Sequence, residues 1–211
     1  MPLTIALFGA TGGSGRAFLP KALQRGYRVR ALVRTPDKLS TRSDQLDVIE
    51  GDILDPEAVS RTVAGCEVIV TLIGQVKGSP ADLQTRGIEH LIAAAQQHQV
   101  RKIISLTGGG VHYHRDAPKL IDKVFRGMMG LFFKNILHDA QTHVARLQDS
   151  GIPYVVVRGP RLTDSTPKGY YRVGYVGIGT GSSITRTDLA DFIVEQIESD
   201  RYVGDMPFVS N

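Results

Sequence analysis

The chain has 211 residues, 42% of them hydrophobic and 22% charged, which is enough apolar material for one sizeable core and excludes a disordered chain. Its single cysteine, Cys66, excludes a disulfide framework and a cysteine-built metal site; it fits a reducing compartment, and a cytoplasmic location is expected. The 25 Lys and Arg against 21 Asp and Glu leave a formal charge of +4, too small to imply nucleic acid but suited to an anionic ligand where basic side chains converge. No apolar run reaches the ~18 residues that would predict a membrane span, and no secretory signal is read at the start.

In chain order, the first predicted strand is Leu3–Phe8, followed directly by Gly9-Ala10-Thr11-Gly12-Gly13-Ser14-Gly15 and a helix. A second strand over Arg28–Val33 ends in Val33-Arg34-Thr35, and a third over Asp47–Glu50 leads into Gly51-Asp52-Ile53. Pro56 sits at a helix start with Asp55 as its N-cap. The fourth strand, Val68–Ile73, runs into Gly74; Cys66 precedes it and reads as buried rather than nucleophilic. Leu83, Gly87, Ile88, Leu91, Ile92 and Ala95 share one face of a helix across Ala81–Gln97. The fifth strand, Lys102–Leu106, is followed by Thr107 and a glycine-rich loop from Gly108 to Asp116. Pro118–Leu137 is strongly apolar and reads as a helical hairpin on the core, with a pocket cover, a dimer contact or a membrane-surface contact as alternatives. A sixth strand at Tyr154–Val157 precedes a last helix that opens at Thr187-Asp188 and carries Leu189, Phe192, Ile193 and Ile197.

Near-continuous Ile, Val and Leu in these strands mark a sheet buried on both faces. With helices between them, the pattern predicts an α/β fold: a doubly wound, Rossmann-like parallel sheet in a single domain over residues 1–211. Substrate-side elements would come from residues 108–137 and the C-terminal third.

Gly9, Gly12 and Gly15 form G-x-x-G-x-x-G directly after a strand and at a helix start. Chemistry asks for glycine there because the turn is tight and backbone amides must approach a pyrophosphate closely. No Gly-Lys-Ser/Thr follows, which excludes a kinase-type P-loop. NAD specificity calls for a carboxylate at the end of the second strand, yet Arg34 stands there; a guanidinium suits a 2′-phosphate, with Arg16 and Lys38 adding charge. The expected cofactor is therefore NADP(H), and Asp37 turned toward a ribose is the feature that would favour NAD. Asp52 is placed to accept from an adenine amino group with Ile53 against the ring, or else to act as a turn signal for the next helix.

These residues resemble the atypical short-chain dehydrogenase/reductase family, in the group holding the NmrA-like and biliverdin reductase B-like NAD(P)H-binding proteins. The resemblance covers nearly the whole chain. It is carried by Gly9–Gly15, Leu32-Val33-Arg34, Gly51-Asp52, Thr62-Val63-Ala64-Gly65, Ser150-Gly151, Gly159-Pro160-Arg161-Leu162-Thr163-Asp164 and Pro207-Phe208-Val209-Ser210. It implies that Gly9, Thr11, Gly12, Gly13, Ser14, Gly15 and Arg34 hold the cofactor phosphates and that Asp52 and Ile53 border adenine. By the same resemblance, Leu72, Ile73 and Gly74 line the cofactor path. Thr107 would sit beside nicotinamide as the catalytic-position residue, and Pro160 with Arg161 would close over that end.

The superfamily's usual Tyr-x-x-x-Lys pair is missing: Tyr113 leads to Ala117, Tyr154 to Arg158 and Tyr171 to Tyr175. Gly108 stands where biliverdin reductase B-like proteins carry a serine, and Ala140 where they carry a histidine. Without a phenol–ammonium proton relay, the expected activity is hydride transfer to a conjugated planar acceptor such as a flavin, quinone or biliverdin-like tetrapyrrole, whose product can take its proton from solvent. The alternatives are an NmrA-like nucleotide-sensing module without turnover and an assembly protein that keeps a cofactor for stability. His112 and Tyr113, with His114, are candidate contacts to an aromatic acceptor, or else an ordinary polar loop. No metal site is expected, because these histidines lack i, i+4 spacing. Asp139 and His143 do have that spacing and read as an exposed ion pair.

Overall fold

The structure is a computed structural model that describes residues 2–76, 78–118 and 134–211. The first half alternates strands and helices: β1 (Thr4–Phe8), α1 (Gly13–Gln24), β2 (Arg28–Val33), β3 (Leu46–Glu50), α2 (Pro56–Val63), β4 (Val68–Thr71), α3 (Leu83–Gln97) and β5 (Lys102–Gly108). The second half holds α4 (Lys134–Asp149), β6 (Tyr154–Gly159), β7 (Arg161–Thr163), β8 (Arg172–Gly174), β9 (Ser183–Thr185), α5 (Arg186–Glu195) and β10 (Phe208–Ser210). One eight-stranded sheet runs in the order β3-β2-β1-β4-β5-β6-β10-β8, and β7 pairs with β9 in a second, two-stranded sheet. The pairs from β3 to β10 are parallel, and β8 closes the edge antiparallel to β10. The fold is thus the doubly wound Rossmann-like α/β sheet that the sequence predicts.

Period-two alternation splits the core into two layers. From β1, Ile5 and Leu7 pack with Phe18, Leu19, Leu189 and Phe192 against α1 and α5. Ala6 and Phe8 pack on the other face with Val59, Ile88, Leu91 and Val144 against α2, α3 and α4. The chain leaves β1 toward β2 and β3 on one side and returns through β4 toward β5 and β6 on the other. The carboxyl ends of β1 and β4 therefore flank the switch point where such sheets hold ligands.

Most predicted boundaries fall within two residues. α2 begins at Pro56, and Asp55 caps it by accepting from the amides of Glu57 at 2.9 Å and Ala58 at 3.2 Å. β4 ends at Thr71 rather than Ile73, because the chain turns out of the sheet at the switch point, whereas β5 continues through Thr107 to Gly108. α3 begins at Leu83 rather than Ala81, and α5 at Arg186 with Thr185 as its cap. Strands β7 to β10 were not predicted: each has three residues, too few for a readable pattern. Of the apolar stretch Pro118–Leu137, expected as a helical hairpin, residues 119–133 lie outside the described residues. Among the described residues no helix is long and apolar enough to cross a membrane.

Arg158 and Asp116 form a fully buried ion pair that fixes the loop after β5. The guanidinium is bidentate, with Nη1 and Nη2 each donating at 2.8 Å to the carboxylate. Nε also donates to the Met206 carbonyl at 2.9 Å and Nη1 to that of Val111 at 3.0 Å. Asp116 in turn accepts from the amides of Tyr113 and Val176. Burial pushes the Asp116 carboxyl up, but Arg158 and these amides more than offset it and hold it below the usual carboxylate range. One pair thereby ties β6, the loop after β5, the turn after β8 and the approach to β10. Arg158→Met should cost about 3–5 kcal/mol in urea unfolding because it strands a buried carboxylate, whereas adding Asp116→Leu should recover part of the loss.

Candidate functional site

The glycine loop is built by contacts that admit no side chain. Gly9 has φ +91°, a conformation that favours glycine. The Gly12 amide closes the turn onto the Gly9 carbonyl at 3.1 Å. A Cβ on Gly15 would lie 2.1 Å from the Gly9 oxygen, so α1 can pass this close only with glycine there. On the other side, a Cβ on Gly9 would meet the Leu72 carbonyl carbon at 3.0 Å, which seats the loop against the end of β4. Unlike α2 and α5, α1 has no side-chain cap, and its first turn carries no acidic residue. Its amino-terminal amides and the positive end of its dipole therefore face the carboxyl edge as an anion cradle.

Around this cradle the structure places the other predicted residues as follows. Arg34 is exposed at the end of β2, with Nη1 at 3.9 Å from Asp52 Oδ2. Asp52 Oδ1 accepts from the Leu54 amide at 2.9 Å, so the carboxylate also serves the turn. Ile53 is buried against Gly87 on α3, which leaves its side chain in the core beneath the site. Leu72, Ile73 and Gly74 follow β4 beside the loop. Thr107 is near the end of β5, in register with Arg158, and its buried Oγ1 has no hydrogen-bond partner among the described residues. Pro160 links β6 to β7, and Arg161 is exposed at the start of β7. A cradle that a Cβ would fill and an orphaned hydroxyl at the far end of the same edge together fit an extended anionic dinucleotide.

Two expectations are corrected. Tyr113 does not offer a stacking surface: its ring is buried, 5.4 Å from the Arg158 guanidinium and 6.0 Å from the Tyr175 ring. Burial, with hydrogen bonding to Asp205, pushes its phenol up. The loop alternates, so His112 and His114 are exposed while Val111 and Tyr113 turn inward. Asp139 and His143 share a helix face, but it is the inner one, and both are buried. The Asp139 carboxylate caps α3 from outside, accepting from the amides of Gln84 and Thr85, both at 2.9 Å, and from Gln75 and the Thr85 hydroxyl. Burial pushes this carboxyl up, and the hydrogen bonds, led by Thr85, bring it below the usual range. Periodicity shows that two residues share a face but not which face.

Cys66, by contrast, is buried as expected; burial pushes its thiol up to about 11. One residue at the cradle was missed. Arg186, the first residue of α5, lies across Gly13, and its Nη1 pairs with Asp164 at 2.8 Å. Its position depends on the β7–β9 pairing, which no sequence pattern reveals. A recess of about 310 Å³ lined by Arg115, Tyr175, Arg201, Tyr202 and Asp205 belongs to the opposite edge, since Asp205 bridges Val155 at the start of β6.

The sequence matches the family described as NAD(P)H-binding over residues 9–200. It is 26% identical over 212 residues to averufin oxidase A of Aspergillus flavus, covering 90% of this chain and 74% of that protein. It is 29% identical over 163 residues to the photosystem II assembly factor Ycf39 of Trieres chinensis, covering 74% of this chain but only 45% of that protein. Among solved structures, the anaerobillin reductase ChuY of Escherichia coli O157:H7 superposes with TM-score 0.79 at 20% identity, covering 98% of this chain and 96% of that one. A wide-type short-chain dehydrogenase/reductase of Veillonella parvula, solved with NADP, gives 0.82 at 14% identity, covering 100% and 95%. The chain belongs to the NAD(P)H-binding family, and it shares the Rossmann-like fold of these solved structures.

His143 gives this region a pH signature. Its Nε2 is 2.8 Å from Ser105 Oγ, and burial pushes its pKa down to about 4, partly opposed by Asp139. The folded state thus binds the proton less readily than the unfolded chain, whose histidine titrates near 6.5. Stability is full above that pH and falls progressively between pH 6.5 and 4, by on the order of 3 kcal/mol at the lower end. Thermal unfolding of wild type and His143→Gln across that range should show the histidine-dependent component vanish in the variant.

Proposed function

We propose that the chain is an NADPH-dependent reductase that passes hydride to a conjugated planar acceptor: a flavin, a quinone or a biliverdin-like tetrapyrrole. The observation that carries this reading is that no tyrosine in the sequence is followed by a lysine four residues on. Tyr154 begins β6 at the edge opposite the cradle, with its hydroxyl on the Gly204 carbonyl, and Arg158 is buried against Asp116, so these two form no phenol–cation pair at the cradle. Reduction of a simple ketone needs a proton donor as charge develops on oxygen. A conjugated acceptor spreads that charge and can be protonated from solvent.

When bound, NADPH supplies the hydride from its dihydronicotinamide ring. The chain's own residues bind and orient. The amides of Gly13, Ser14 and Gly15 with the turn at Gly9–Gly12 would hold the pyrophosphate. Arg34 would exchange its loose contact with Asp52 for the 2′-phosphate. Thr107 Oγ1 would find its hydrogen-bond partner at the nicotinamide end, and Pro160 with Arg161 would exclude water there. His112 remains the candidate loop contact to the acceptor. The likeness to Ycf39 favours one second reading, a nucleotide-holding module that serves a partner without turnover.

NADPH oxidation by the purified protein with FMN, FAD, quinones and biliverdin tests the proposal. Sustained consumption with at least one acceptor is expected; tight binding of oxidised and reduced cofactor with turnover on none would overturn the reductase in favour of the holding module. For the cofactor, Arg34→Ala should raise the Kd for NADPH by about 10- to 100-fold while changing that for NADH less than about threefold, because charge-assisted hydrogen bonds to the 2′-phosphate contribute about 1.5–3 kcal/mol. Equal losses for both nucleotides would assign Arg34 no part in 2′-phosphate recognition.

A further inference from the structure

Gly13 is not explained by the glycine turn. It lies within α1, and its backbone is not among those with positive φ. What lies over it is Arg186: a Cβ on Gly13 would lie 2.6 Å from Arg186 Nε, 3.0 Å from Cδ and 3.2 Å from Cζ, so a side chain there would push the guanidino group aside. The guanidino group is therefore laid along the backbone of the phosphate cradle itself.

Three features bring it there. The β7–β9 register pairs Thr163 with Thr185, so the next residues, Asp164 and Arg186, emerge side by side. Helices α1 and α5 share one core layer and are clipped by Lys21 and Asp191 at 2.6 Å, which sets their amino termini together at the carboxyl edge. Thr185 and Asp188 cap α5 reciprocally, Thr185 Oγ1 accepting from the Asp188 amide and donating to Asp188 Oδ2, so Arg186 and Thr187 between them have little backbone freedom.

We propose that Arg186 is a second cationic ligand of the cofactor pyrophosphate and that Asp164 competes for it. The proposal rests on the reading of the cradle as an NADP(H) site. The side chain of Arg186 is only 25% exposed, whereas that of Asp164 is 82% exposed. A largely solvated carboxylate is a weak partner. A pyrophosphate in a cradle of backbone amides offers the same guanidinium charge-assisted, bidentate acceptors close to a helix amino terminus. The arginine exchanges one anion for the other, and Asp164 at the end of β7 is released as the cradle fills. Arg186 thus binds the part common to NADPH and NADH, unlike Arg34, which faces the 2′-phosphate.

Calorimetric titration of NADPH and NADH into wild type, Arg186→Ala, Arg186→Lys and Asp164→Asn tests this. Arg186→Ala should weaken both nucleotides to the same extent, by about 10- to 30-fold, and Arg186→Lys, which keeps stem and charge, by less. Asp164→Asn, at an exposed site that does not endanger folding, should tighten both by about threefold and flatten toward wild type at high salt. Unchanged affinity in Arg186→Ala, or weakening by Asp164→Asn, would overturn the exchange and leave the pair as a surface clip. Absence of nucleotide binding by wild type would instead overturn the cradle reading, and the role of Arg186 with it.

Discussion

The carbonyl of Gly9 and the backbone of Gly15 approach so closely that no side chain fits between them. That approach sets the angle at which α1 leaves β1, and with it the direction of the helix dipole. It also brings the loop down on the end of β4, so the two strands that flank the switch point share one wall. Everything assigned to the cofactor is arranged around this contact: uncapped amides at its centre, Arg34 and Asp52 toward β2 and β3, Thr107 and the turn at Pro160 toward β5 and β6. An atom added at Gly15 would disturb α1, and through α1 the packing of α5 and the position of Arg186.

A second constraint lies across the sheet. Arg158 on β6 is committed to a buried pair with Asp116. The pair gives the loop after β5 a fixed course while drawing Tyr113 into the core. Rigidity in this wall comes from the burial of a charge that the bidentate carboxylate satisfies.

Legibility in the sequence followed the range of the interactions. The glycine turn, Arg34 and the cap at Asp55 are set by residues close in sequence, and the parallel sheet announces itself through continuous Ile, Val and Leu. Asp139 and His143 were misread because spacing fixes a shared face, while only packing decides that α4 turns that face inward. Arg186 was invisible for a related reason: its neighbour Gly13 is more than 170 positions away (186 − 13 = 173), and the two three-residue strands that carry it there have no periodicity to read. Tyr113 failed on a single alternation, since one residue earlier or later its ring would have pointed to solvent.

The cap that Asp139 gives α3 has a kinetic side. Asp82, the residue at the helix's own start, makes no side-chain cap, so α3 lacks a local initiation signal. The carboxylate that replaces it arrives from 55 residues further along the chain, with β5 and the entry to α4 between. A helix whose first turn is completed by another helix is stabilised late, after the intervening loop has been closed at an entropic cost. α3 and α4 therefore gain their final stability together with β5, as one cooperative unit on one side of the sheet.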